Sequence, residues 1–164
     1  MAELLSNNEI FFTTFEPKVQ NRFIMIVDGI PSFLIRKVSR PKPTAEPKPI
    51  DYINTQWYYR GKTVWSPVSM ELYDPIVPSG AQTVMEWIRL CHESVTGRDG
   101  YRDFYTKDVY INVLGPVGDK VEEWVLKGAF PSGETNFGEL DWSNTGDALP
   151  ISLQLSYNYA ILNF

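Results

Sequence analysis

His92 stands directly beside Cys91, the one place where this chain could set an imidazole against a thiol for nucleophilic catalysis. Both fall in a stretch whose apolar residues recur with helical spacing, and neighbouring residues on a helix do not face each other. Cys91 lies on the apolar stripe and His92 off it, so the pair reads as a core thiol and a surface histidine. One Cys and one His cannot by themselves supply a four-ligand zinc site, and a single Cys forms no internal disulfide.

The remaining candidates for chemistry fail on spacing. In Gly115-Pro116-Val117-Gly118-Asp119-Lys120 the lysine follows the first glycine too closely for a phosphate loop, and no Ser or Thr comes after it. Asp99, Asp103 and Asp108 lack the alternating oxygen ligands and terminal glutamate of a calcium loop. Glu122 and Glu123 are adjacent in a strand-like run, where successive side chains point to opposite faces and cannot share a glycosidic oxygen. The sequence assigns no catalytic, cofactor-binding or metal-ligating residue, and no enzyme is expected.

The elements that would position such residues are mostly strands. Ile151, Leu153, Leu155, Tyr157, Tyr159 and Ile161 alternate with polar or small residues, predicting one long terminal strand over about 149–161. Weaker alternation marks strands through Val68, Met70 and Leu72 and through Val109, Ile111 and Val113. Asp28-Gly29 between two apolar runs predicts a hairpin of Asn21–Val27 with Ser32–Val38. A second hairpin is expected with Ile53, Thr55, Trp57 and Tyr59 on one face and Arg60-Gly61-Lys62 turning the chain into Val64 and Trp65. The Gly115 to Gly118 turn joins a third pair, whose second strand runs from Val121 to Phe130. One helix is predicted over about 79–96: Ser79 and Gln82 have capping-box spacing, Val84, Trp87, Ile88, Cys91 and Val95 form one stripe, and Gly97 ends it.

Between the first two hairpins, Arg40 to Pro49 carries four prolines, which remove backbone donors and exclude a central strand. It reads as an exposed loop or a projecting contact arm. The expected architecture is α+β and mainly β: an antiparallel β-barrel or sandwich of about seven to eight strands with one flanking α-helix and an extended loop or hairpin arm, in one domain spanning residues 1–164. Its parts are an N-terminal segment 1–20 and the Pro-rich arm and hairpin 40–62, followed by the helix and the terminal strand.

Of the 164 residues, 43% are hydrophobic and 21% charged, enough apolar material for a core and too little charge for a disordered acidic chain. Fifteen Lys plus Arg against 20 Asp plus Glu leave a net charge of -5, the wrong sign for gripping nucleic acid. That sign suits a surface lying beside nucleic acid without sticking to it. No run approaches the roughly 18 apolar residues of a membrane-spanning helix. Met1 to Phe12 holds Glu3 and Glu9 and no Lys or Arg, so no secretory signal and residence in a cytosol are expected.

Charge is segregated along the chain. From Arg36 to Lys62 seven cations stand against two anions; from Asp119 to Asp147 seven anions stand against two cations. In a self-associating protein this arrangement steers one copy onto the next. The contact candidates are Arg40, Lys42, Lys48, Arg60 and Lys62 with the aromatic Trp57 and Tyr59. Their acidic complements are Glu122, Glu123, Glu134, Glu139 and Asp141. The cluster of Tyr52, Trp57, Tyr58, Tyr59 and Trp65 reads equally well as sheet packing or as a subunit interface.

The order Lys127-Gly128, Phe130-Pro131, then Phe137-Gly138-Glu139-Leu140-Asp141-Trp142, then a long alternating terminal strand resembles the tail tube proteins of contractile-tailed bacteriophages. The early hairpin, the Asn54 to Lys62 hairpin, a strand ending near Tyr73-Asp74 and the single helix occur in the same order, so the resemblance covers nearly the whole chain. It departs in the proline content of Arg40 to Pro49 and in the apolar ending Ala160 to Phe164.

The resemblance implies a structural virion protein: hexameric rings of this chain stacked into the inner tail tube, with inner strands of the six subunits joined around the channel and the arm of residues 40–62 reaching the adjacent ring. It implies assembly in a host cytoplasm. The partners it implies are tail sheath protein, a tape measure protein in the lumen, and baseplate and tail terminator proteins, with DNA passing through unbound, no membrane insertion and no cofactor. A baseplate or terminator tube adaptor, or a ring protein of a type VI secretion system, is the alternative within the superfamily. A carbohydrate-binding β-sandwich using the Tyr and Trp cluster is the alternative outside it.

Overall fold

The structure is a computed structural model and describes residues 15–164. The Met1 to Phe12 stretch, on which the expectation about a secretory signal rests, lies outside the described residues, as does most of the N-terminal segment 1–20. The chain forms β1 (Phe23–Val27), a 3-10 turn (Ser32–Leu34), β2 (Ile35–Val38), β3 (Lys42–Tyr52), β4 (Thr55–Ser66) and β5 (Val68–Tyr73). There follow α1 (Gly80–Cys91), the short α2 (Arg102–Tyr105), β6 (Lys107–Leu114), β7 (Lys120–Asn136), β8 (Pro150–Ser156) and β9 (Tyr159–Asn163). All paired strands are antiparallel, giving the expected mainly-β α+β fold, a sandwich rather than a closed barrel.

Two four-stranded sheets share β7. Its first half pairs with β6 and β9, and β1 completes that sheet beyond β6. Its second half pairs with β8, followed by β5 and β2. The hydrophobic core lies between them: Met25, Val27, Val109, Ile111 and Leu126 come from the first sheet, and Val68, Met70, Leu72, Ile151, Leu153 and Leu155 from the second. Alternation in β5, β6 and β8 therefore places side chains as the sequence predicts.

α1 closes one end of the sandwich. The Ser79 hydroxyl accepts from the Gln82 backbone amide at 3.3 Å, and the Asp74 carboxylate accepts from that of Ala81 at 3.1 Å, so two of the helix's open N–H groups are satisfied. Val84 and Trp87 enter the core, and the Trp87 indole donates to the Tyr105 carbonyl at 2.7 Å.

Five local expectations change. Asp28-Gly29 does make a tight turn, with Gly29 at φ 85°, but β1 and β2 do not pair: the chain crosses from one sheet to the other. Arg60-Gly61-Lys62 is not a turn. β4 runs straight through it, and the hairpin turns at Ile53-Asn54. The Pro-rich segment is strand β3, paired only with β4. Proline is tolerated there because the ribbon's outer edge requires no donors.

The predicted helix 79–96 ends at Cys91. His92 pairs with Asp99 as an isolated bridge, Gly97 sits in a turn beyond the helix, and Val95 is exposed. Finally, the single terminal strand over about 149–161 is two strands. The chain bends at Tyr157-Asn158, where the Asn158 amide bonds to the Lys127 carbonyl, and passes from the second sheet to the first. The alternation flips at the bend, so Tyr159 and Ile161 face outward while Tyr157 is buried.

Candidate functional site

The β3–β4 ribbon projects as an arm. Its two strands pack extensively only on each other, and most of its side chains are exposed. Register places Ile50 opposite Trp57 and Lys48 opposite Tyr59, so these four share one face, with Trp57 and Tyr59 stacked at 6.4 Å. Tyr52, Trp57, Tyr58 and Tyr59 are exposed on the arm, whereas Trp65 packs on Tyr157 at its root. The aromatic cluster thus divides: one member belongs to the body and four have no partner within it among the described residues.

The arm's backbone carries two special positions. A bulge falls between Ala45 and Pro47, where a Cβ on Gly61 would lie 2.5 Å from the Glu46 carbonyl oxygen, too close for any side chain. At the tip, Ile53 has φ 50°, a left-handed conformation that costs a β-branched residue energy, and it is 86% exposed.

The root is fastened on both strands. Tyr157 donates from its hydroxyl to the Ser66 carbonyl at 2.8 Å. On the other strand Arg40 lies 3.5 Å from Glu122, which is 4% exposed and also takes a hydrogen bond from Lys18 and one from the Trp124 indole. The Lys18 ammonium foremost, with the Trp124 indole and Arg40, holds the Glu122 carboxyl below its ordinary value against the opposing effect of burial.

The other contact candidates lie apart. Lys42, Arg60 and Lys62 form no ion pair among the described residues, and Lys48 pairs only with Glu46 of the same arm, at 3.8 Å. Glu123 pairs with Lys120 at 2.8 Å on the first sheet. Glu134 is exposed near the end of β7. Glu139 and Asp141 sit in the loop 137–149, which has no cation in its sequence. The Ser143 backbone amide, with its hydroxyl, lowers the Asp141 carboxyl. The structure thus joins Arg40 to Glu122 within one chain and, among the described residues, leaves the remaining cations of the arm facing no acid of the body.

The outer faces of the two sheets differ in kind. On the second sheet, Ser69, Glu71, Ser132, Ser152 and Gln154 lie side by side in register, with Arg36 bonded to Glu71 at 3.3 Å. The first sheet instead presents Ile24, Ile26, Tyr159 and Ile161, all more than a third exposed. Sequence reading missed the polar face, although Ser152, Gln154 and Ser156 at alternate positions carry its signal. It also missed a groove of about 630 Å³ between α1 and the loop 137–149, lined by Met85, Phe137, Leu140 and Leu149 with Arg89 at one side. That groove has no sequence signal, because its walls are far apart in the chain.

His92 is half-exposed, with its Nδ1 2.6 Å from Asp99. Burial raises the Cys91 thiol above its usual range, the wrong direction for a nucleophile. Among the described residues, no cluster of His, Cys, Asp and Glu could hold a metal ion, and no helix is long and apolar enough to cross a membrane.

No family model matches the chain, and no curated protein does. Solved structures do. A chain in the cryo-EM structure of the anti-feeding prophage cap, a tube terminating cap, superposes with TM-score 0.75 at 13% identity, covering 97% of this chain and 99% of that one. A chain in the sheath-tube complex of an extracellular contractile injection system in its extended state gives TM-score 0.70 at 17% identity, over 90% and 91%. Hcp1 from Flavobacterium johnsoniae gives 0.52 at 15% identity, over 85% and 93%. The chain has the fold of contractile tail tube proteins.

Proposed function

We propose that this protein is a structural tube subunit of a contractile tail or injection particle, acting by self-assembly into hexameric rings that stack into a hollow conduit. The observation that carries this reading is the second sheet. Its outer face is serine, glutamine and a paired Arg36–Glu71, with Lys37 and Tyr73 beside them and no exposed aliphatic side chain, and both of its edges, β2 and the second half of β7, are unpaired among the described residues. Open edges of a sheet invite pairing with another chain. Here they bear opposite charge, Arg36 and Lys37 on β2 and Glu134 on β7, so one copy's β2 is steered to the next copy's β7.

A head-to-tail contact of that kind closes into a ring, and a second such contact along the axis does not close and propagates a tube. The polar face then lines the bore. Few free cations there means no counterion-release attraction, so passing DNA phosphates are not trapped. The partners in this reading are further copies of the chain, a sheath outside, a tape measure protein inside, and baseplate and terminator proteins at the ends. A second reading, a tube-end adaptor, draws support from the shared fold with a chain of a tube terminating cap.

Negative-stain electron microscopy of the purified full chain tests both. Hollow tubes that lengthen with concentration support the subunit. Rings that never lengthen favour the adaptor, and a protein that remains monomeric at high concentration overturns both.

A further inference from the structure

We propose that the recess between β1 and β2 is the docking site of this chain's own N-terminal segment, residues 3–12, laid across the open mouth of the sandwich. The contact lies within one chain and stands independently of the tube reading.

The first support is the recess itself. β1 and β2 are edge strands of the two sheets; they pair with β6 and β5 and not with each other. Between them opens a space of about 710 Å³. Phe23, Ile35, Val38 and Val113 line it and are only half-buried, and it reaches Ile111 of the core. Covering such apolar surface is favourable in proportion to the area removed from water. Both strands also keep an edge that is open among the described residues, to which an extended segment can bond.

The second support is charge. Lys18, Arg22, Arg36, Lys37 and Arg40 line the recess, and among the described residues no carboxylate does. Glu122 engages Lys18 and Arg40, and Glu71 engages Arg36, which leaves Arg22 and Lys37 without an acidic partner among the described residues. The N-terminal segment is the complement: it carries Glu3 and Glu9 and no Lys or Arg, with Leu4, Leu5, Ile10, Phe11 and Phe12 beside them. Cations around an apolar floor select an anionic, apolar peptide over a basic one. The groove beside α1 has no such excess, with Asp74 against Arg89.

The third support is connection. Lys18 to Asn21, which lead toward β1, form part of the recess wall, so the chain preceding Phe15 is delivered at the rim. The six steps from Glu9 to Phe15 span up to roughly 20 Å at about 3.3 Å each, against about 16 Å for the five residues of β1. A tether this short holds the segment at an effective concentration on the order of millimolar, which favours the chain's own segment over that of another copy.

Hydrogen exchange of the full chain, followed across a dilution series, tests this. In the parent, amides of residues 9–12 are expected to exchange at least about tenfold more slowly than in a free peptide, at every concentration. The segment variant Glu3→Lys with Glu9→Lys and the recess variant Arg22→Glu with Lys37→Glu should each lose most of that protection, and the combined variant should regain it. Unchanged protection in β8 verifies the core, and Lys37→Glu alone replaces the recess variant if that control fails. Phe11→Ser with Phe12→Ser probes the apolar half of the contact and should lose protection as well.

Segment amides that exchange at the free rate in the parent, protection indifferent to the charge swaps, or a combined variant no better than the single ones overturn the proposal. Protection that vanishes on dilution also overturns it and assigns the recess to the segment of a second copy. All of these readings are made on monomeric protein, so a chain that forms no tubes contradicts the tube reading and leaves this test intact.

Discussion

The Arg40 guanidinium lies 3.5 Å from the Glu122 carboxylate, joining the root of the arm to β7 of the same chain. These two residues come from the opposed charge segments of the sequence, and the fold consumes them internally. In the proposed assembly, steering between copies then falls to the charges beyond that pair: Lys48, Arg60 and Lys62 on the arm, and Glu134, Glu139 and Asp141 on the acidic side.

Glu122→Gln should destabilise the fold by about 1–3 kcal/mol in chemical denaturation. The loss stays modest because Lys18 and Arg40 are about half-exposed and water takes over their solvation. The folded carboxyl is held below the ordinary 4.5, so its stabilisation is complete above that value and is lost as pH falls through the lowered one. Parent and variant should accordingly converge in stability as pH falls through that lowered value, and a gap unchanged down to full protonation would contradict the assignment.

Tyr157→Phe removes the bond to the Ser66 carbonyl and keeps the ring on Trp65. A loss of about 1 kcal/mol is expected. Faster hydrogen exchange at the base of β3 and β4 should accompany it.

Gly61→Ala should distort the arm without touching the core, because the new methyl meets the Glu46 carbonyl. Exchange of arm amides should quicken and tubes should lengthen more slowly, at an unchanged melting temperature. Normal arm protection in this variant would show that the bulge has room to give.

Ile53→Asn replaces a β-branched residue at positive φ with one that tolerates it, and should stabilise the hairpin by about 1 kcal/mol. Slower amide exchange in β3 and β4 is the readout, and faster exchange the contrary result.

His92→Ala should shift stability by no more than about 0.5 kcal/mol and leave ring formation unchanged. Loss of rings would mean that the His92–Asp99 bridge supports an interface.

Much of the sandwich was legible because β5, β6 and β8 each bury one face, and period-two alternation reports that directly. The Ser79 cap was legible for the same local reason. What escaped depends on partners distant in sequence. Nothing near Asp28-Gly29 says that β1 joins β6 while β2 joins β5. Tyr157 and Tyr159 look like one alternation until the bend at Asn158 turns the second outward. At the candidate site, the arm's charges and aromatics stand in one stretch of sequence, so their common place on the β3–β4 ribbon was legible. The groove joins Met85 to Leu140 and Leu149 across the fold and was not. Arg40 and Glu122 were read as complementary contacts between copies, whereas the fold brings them together within one chain.

The most direct test is a cryo-microscopy map of whatever polymer the purified chain forms. The account predicts a six-fold tube whose bore is lined by Ser69, Ser152 and Gln154, with the arm of each subunit leaving its own ring. A bore lined by Ile24 and Ile26, or a protein that forms no ring at any concentration, would contradict it.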